Sequence, residues 1–474
     1  MTPTPFADLA QLRQAMDGIA TPHREGLDVR DAAGFREQMV DRLVYSAVFG
    51  DEPLKATSRW LIRSAATALG AFPASIHDLY SAGGQGAYAH ATAPAINVRG
   101  LTYDVMRAIF RAAKSTENKI VLFEIARSEM GYTDQRPGEY ATAALAAAIK
   151  EGHQGPVFIQ GDHFQANAGK YAKDPVAEIQ AVRDLAREAI EAGFYNIDID
   201  ASTLVDISLP TLAEQQEINF RHTAELTAFI REIEPTGVTV SVGGEIGEVG
   251  KENSTVEDLH AFMEGYVPAL QRAGEAAGRD LPGISKISVQ TGTSHGGVPL
   301  ADGSIAEVKV DFETLAALSR AAREEYGLGG AVQHGASTLP EEAFNWFAEA
   351  NAIEVHLATA FQNMIYESDA FPASLKAEMY AHLAANHADE RKPGQTDAQF
   401  YYTTRKKGFG PFKRRLWDLP AETRDGIMAD LEPRFELVMR RLGVAGTAAL
   451  VDRIVTPVTV ATPAPESLRM ALAQ

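Results

Sequence analysis

The sequence predicts an α/β fold, a (β/α)8 barrel with helical extensions at its N- and C-terminal ends. Three observations predict it. Eight short, β-rich apolar bursts recur mostly about 25 to 45 residues apart: APAINV, KIVLFEIA, PVFIQG, YNIDID, VTVSVGGE, ISKISVQTG, GAVQHGA and AIEVHLAT. Between most of them lie stretches such as DPVAEIQAVRDLAREAIEAG and DFETLAALSRAAREEYG, with apolar residues at helical spacing. Ionisable residues follow the bursts repeatedly, as expected where barrel strands end. An open doubly wound sheet also alternates strand and helix, but its first strand runs into a glycine-rich turn. Here APAINV is followed by RGLTYD.

Residues 1–88 read as a helical extension, with FADLAQLRQAM and FREQMVDRLVYSAVF as its clearest helices and SAGGQGAYAHATAP as a junction loop. Residues 89–365 carry the barrel. Residues 366–474 read as mainly helical, interrupted by the basic, aromatic run QFYYTTRKKGFGPFKRR. They end in the proline-rich VTPVTVATPAPESL, an extended strap or a partner-facing arm.

Composition narrows the function. The 474 residues include 44 basic and 63 acidic side chains, a formal charge of −19, which argues against binding nucleic acid. Hydrophobic residues at 45% and charged ones at 23% exclude a disordered chain. Cysteine is absent, which removes disulfides, thiolate zinc sites and cysteine nucleophiles. No apolar run approaches the roughly 18 residues of a membrane span. MTPTPFADLAQL lacks the layout of a signal peptide. A soluble cytoplasmic protein with neither membrane nor nucleic-acid partner is expected.

The strand ends carry the chemistry. PVFIQG ends in Asp162-His163, YNIDID in Asp200, and VTVSVGG in Glu245. ISKISVQ runs into Thr291-Gly292-Thr293-Ser294-His295-Gly296, GAVQ into His334-Gly335-Ala336-Ser337, and AIEV into His356-Leu357-Ala358-Thr359. Four of the 12 histidines thus sit at four strand ends. An isolated strand-end histidine is commonly a hydrogen-bonded structural residue. Three on one rim, His163, His295 and His334, can converge on a zinc ion that keeps a position open for substrate oxygens. Asp162 and His163 are neighbours, so they leave a regular strand in opposite directions. Glu245 either orients an imidazole N–H or pairs inside the barrel with Lys286 or another base. Gly296, Ser337 and Thr359 offer N–H groups and hydroxyls of the kind that bind phosphate, or are plain turn residues.

Two more segments stand out. The polar loop GEIGEVGKENSTVED carries Glu248, Lys251 and Glu252, either a mobile loop bringing a carboxylate to substrate or an inert turn. Lys406, Lys407, Lys413, Arg414 and Arg415 form a dense basic cluster in an acidic chain. It is either a solvated face or a clamp for a second phosphate or carboxylate.

GDH, GGEIGEVG, GTSHGG followed by VKVDFETL, QHGAS followed by LPEE, and IEVHLAT occur in an order that resembles class II, zinc-dependent ketose-bisphosphate aldolases, over roughly residues 90–365. The resemblance implies a barrel, a homodimer or homotetramer, and reversible cleavage of a phosphorylated ketose, with fructose 1,6-bisphosphate as the family's usual substrate. It also implies zinc on His163, His295 and His334, with a monovalent cation as a possible second ion. Asp162 would exchange the C4 hydroxyl proton, and Glu245 would support the metal site. Glu248 or Glu252 would handle the proton on the enediolate carbon. Gly296, Ser337 and Thr359 would bind phosphate.

Three departures qualify it. Lys251 stands where members pair a second glycine, His356 where they carry an asparagine that holds the enediolate, and both extensions are unmatched. His356 could hydrogen-bond the intermediate, add a metal ligand or mark a different substrate. Two further readings use the same residues: an epimerase or isomerase sharing the enediolate chemistry, and a noncatalytic aldolase-like subunit.

Overall fold

The computed structural model describes residues 4–23, 26–246, 252–292, 300 and 310–472. Eight parallel strands close a ring: β1 (Ala93–Asn97), β2 (Leu122–Ala126), β3 (Gly155–Gln165), β4 (Asn196–Asp200), β5 (Ser241–Glu245), β6 (Lys286–Val289), β7 (Ala331–Gln333) and β8 (Glu354–Leu357). Each pairs with its neighbours in sequence, and β8 pairs with β1. Helices outside the ring complete a (β/α)8 TIM barrel, and all eight apolar bursts are its strands. The helices begin where their sequences supply caps. Asp174 accepts from Ala177 N ahead of Pro175–Ala192, and Asp311 accepts from Thr314 N ahead of Phe312–Tyr326. Both helices stop at a left-handed glycine, Gly193 and Gly327.

The N-terminal extension is less helical than its sequence predicts. Leu9–Met16 and Val40–Phe49 are helices, but Ala20–His23 and Gly26–Val29 form a small antiparallel hairpin. Ala71–Ala74 is a further strand, and it joins the barrel sheet by pairing with Gly155–Phe158 of β3. β4 pairs only with the upper half of β3, from Gln160 onward, so the extra strand fills the gap below it. Asn196, fully buried, ties the junction: its amide donates to Ala74 O and Ile159 O and its oxygen accepts from Ile76 N. The predicted junction loop begins inside a helix, His77–Gly84, whose Tyr80 reaches up into the barrel to Glu354.

The C-terminal extension is helical as predicted and folds back on the barrel. Helix Ala421–Arg441 covers Thr102–Ser115, where buried Arg424 donates twice to buried Asp104, at 2.9 and 3.1 Å. The proline-rich segment crosses to the N-terminal helix Glu52–Ala68, where Trp60 Nε1 donates to Thr462 O and Thr57 bonds Ser467. Among the described residues no helix is long and apolar enough to cross a membrane.

Candidate active site

The barrel interior is charged. Lys286 on β6, fully buried, places Nζ 2.8 Å from Gln160, 2.9 Å from Asp198 and 2.5 Å from Glu354. Gly243 makes the room: a Cβ there would lie 2.3 Å from Asp198 Oδ1 and 2.9 Å from Lys286 Cε. Above this layer His356 bridges downward to Glu354 through Nε2, at 2.6 Å, and upward to Asp162 through Nδ1, at 3.2 Å. Burial opposes a charge on His356, but Glu124, Asp162 and Glu354 outweigh it and hold its pKa well above the usual histidine range. Burial, reinforced by the neighbouring Asp162 and Glu354 carboxylates, pushes Glu124 well above the carboxylate range.

A break in β3 brings Asp162 and His163 to one side. The β3–β4 register shifts between Gly161 and Phe164, and His163 has φ +40°, outside the extended region. The alternation of side chains is interrupted there, so both neighbours line the cavity at the barrel mouth. The same bulge closes Gly161 against the Phe164 ring, 2.3 Å from where a Cβ would stand.

His163 Nδ1 lies 3.0 Å from Asp200 and 3.2 Å from Glu245, and its Nε2 is 3.6 Å from Asp162. His334 is anchored through Nε2 to Ser288 Oγ at 2.9 Å, with its ring 4.4 Å from that of His163. Burial would raise the Asp162 carboxyl, but His163, His356 and His334 hold it well below its ordinary range. Burial likewise opposes charge on His163, and Asp162, Glu245 and Asp200 reverse that.

One ligand atom each from Asp162, His163 and His334 lie within 4.8 Å of one another, a spacing that fits a metal ion. The donor set fits as well: imidazoles anchored on a carboxylate and on a hydroxyl, as metal ligands are commonly held. Lys286 pairs with Asp198 and Glu354, and Glu245 stands against His163.

The cavity, about 300 Å³, is also lined by Ser337, Thr359 and His356. Ser337 Oγ accepts from Ala360 N, and Thr359 begins a helix running to Glu367. Glu252 is elsewhere. It is exposed, and Ser254 N bonding Gln290 O and Asn253 bonding Asp311 hold its segment along a surface cleft. His295, Gly296, Glu248 and Lys251 lie outside the described residues.

Several cavity residues were not singled out from the sequence: Asn97 at the end of β1, Arg99 just beyond it, Ser128 and Glu129 after β2, and Tyr132, Gln362, Tyr402 and Thr403. Asn97 donates to Asp162 at 2.8 Å and to Glu129 at 2.9 Å. Polar residues directly after β1 and β2 were the available signal.

The family model described as fructose-bisphosphate aldolase class-II matches residues 76–402, and the chain belongs to that family. No curated protein matches it. Among solved structures it resembles one described as a probable tagatose 6 phosphate kinase from Sinorhizobium meliloti 1021, at 18% identity over 80% of this chain and 97% of that one, TM-score 0.53. Others are a putative fructose-1,6-biphosphate aldolase from Coccidioides immitis (18% identity, 78% and 97% covered, TM-score 0.45) and a fructose-bisphosphate aldolase from Campylobacter jejuni (18%, 78% and 95%, 0.44).

Proposed function

We propose that the protein is a zinc-dependent class II aldolase that reversibly cleaves a phosphorylated ketose. One observation carries the reading: Asp162, held ionised by its histidine neighbours, lines one cavity with a histidine pair able to hold a metal and with Ser337 and Thr359.

His163 and His334, with His295, would hold the zinc, which supplies Lewis-acid polarisation of the ketose carbonyl when bound. Asp162 takes the proton from the C4 hydroxyl as the C3–C4 bond breaks and C4 becomes an aldehyde. The electron pair stays on the phosphorylated three-carbon fragment, which is reprotonated at C3 to the ketone. Asn97 and His356 fix the Asp162 carboxylate from two sides, so its lone pair is aimed before substrate arrives. Ser337 and Thr359 anchor the phosphate of the retained fragment. The reading carries with it a cytoplasmic homodimer or homotetramer and stimulation by a monovalent cation.

The test is incubation of the zinc-loaded protein with ketose mono- and bisphosphates, measuring triose phosphate release. Release is expected, abolished by chelation and restored by zinc. Asp162→Ala should keep bound metal and lose most turnover. Activity that survives prolonged chelation, or a ketose epimerised without cleavage, would overturn the reading.

A further inference from the structure

The basic cluster of the C-terminal extension is neutralised almost throughout. Lys407 pairs with Glu390, Lys413 with Glu139, Arg414 with Asp418 and Arg415 with Glu378; Arg405 just before them pairs with Glu367. Lys406 is the exception: among the described residues it has no carboxylate partner, and its ammonium stands 5.6 Å from the centre of the Tyr132 ring. It lines the same cavity as Asp162, His163 and His334.

Close backbone packing puts it there. Gly410 N donates to Tyr132 O at 3.2 Å, and a Cβ on Gly410 would fall 2.4 Å from that oxygen. The Phe409 ring seats on Gly100, just beyond β1, where a Cβ would meet it at 2.1 Å. The turn Arg405–Gly408 is thereby pressed onto the rim above β1 and β2. Burial, reinforced by Arg99, holds the Lys406 ammonium below the usual lysine range, as for a cation short of compensation.

The charge count at this end of the cavity is specific. Arg99 is also present but already matched, 2.6 Å from Glu129 and donating to Gln362 at 2.8 Å. Among the described residues here, Arg99 and Glu129 cancel, leaving the single charge of Lys406. A phosphate carries close to two charges and would exceed that single positive charge. An uncharged hydroxymethyl end would leave a half-buried ammonium unpaired. A carboxylate matches the charge and can take up the ammonium protons.

We propose that the substrate is a ketose phosphate whose far end is a carboxylate, a phosphorylated sugar acid, and that Lys406 binds that carboxylate. The aldehyde released on cleavage then carries the acid. This rests on the aldolase reading, and binding measured without turnover separates the two.

Three six-carbon probes lack a ketone or aldehyde and cannot be cleaved: 6-phosphogluconate, glucitol 6-phosphate and glucitol 1,6-bisphosphate. In calorimetric titration of the full-length, zinc-loaded protein, 6-phosphogluconate should bind about tenfold or more tighter than glucitol 6-phosphate, the range of a charge-assisted hydrogen bond. It should also bind tighter than the bisphosphate. Lys406→Met should erase the advantage of the acid, and Lys406→Arg should retain most of it. Tightest binding of the bisphosphate, equal binding of the acid and the alcohol, or an advantage that survives Lys406→Met would overturn the proposal. If ketose phosphates are cleaved and glucitol 6-phosphate binds, such a result removes the sugar-acid assignment alone. If no probe binds and no ketose phosphate is cleaved, both fall.

Discussion

Replacing Lys286 by methionine deletes the cation at the centre of the barrel while keeping much of its volume. In the native protein its ammonium meets Asp198 at 2.9 Å and Glu354 at 2.5 Å, with no solvent exposure. At an effective dielectric of about 20 each contact amounts to roughly 6 kcal/mol of attraction. Desolvating the ammonium offsets several kcal/mol of the sum, and removing one partner from such a buried group costs about 3 to 5 kcal/mol overall. The loss should depend on pH. Glu354, which burial would raise, is held down to about 2, chiefly by Lys286. Asp198, raised by burial, already stands at about 6. Without the lysine the Glu354 carboxyl rises and that of Asp198 rises further, so the folded variant takes up protons before the folded native protein does as pH falls. The destabilisation is therefore full above about pH 7 and shrinks toward pH 5. Urea midpoints followed by far-UV circular dichroism at pH 7.5 and pH 5 measure it. A loss below about 1 kcal/mol at pH 7.5, or one that does not shrink at pH 5, would refute the reasoning.

Other perturbations follow from the same geometry. Asn196→Ala strips partners from Ala74 O, Ile76 N and Ile159 O together, and should cost about 3 kcal/mol, with faster amide exchange across residues 71–76; unaltered exchange there would be the contrary result. Burial depresses His153 to about 4, so the unfolded chain takes up its proton first and stability drains as pH falls from about 6.5 to 4. His153→Gln should flatten the stability curve in that window by up to one proton, and an unchanged slope would show that His153 is not the group responsible.

The eight barrel strands were legible because each is a compact apolar run bounded by helix-forming sequence. The hairpin ATPH–GLDV and the strand AFPA were not: four residues long and, in two cases, holding a proline, they owe their conformation to neighbours. Asp162, His163, His334 and His356 could be found at strand ends. That Asp162 and His163 share a face could not, because a regular strand separates them and the bulge that unites them is set by pairing with β4. The basic cluster was visible as composition, yet nothing local tells Lys406 from Lys407. Only the fold-back of a segment some 300 residues away from β1 turns one inward and pairs the other with Glu390.

That fold-back orders the making of the molecule. A nascent chain ending at Glu367 already contains every barrel strand, Asp162, His163 and His334, but its cavity lacks the wall formed by Tyr402, Thr403 and Lys406. The wall is seated through Phe409 on Gly100 and Gly410 on Tyr132, contacts that exist only once that later segment has been made. The groups that could hold a metal are thus synthesised before the residues that wall the cavity above them.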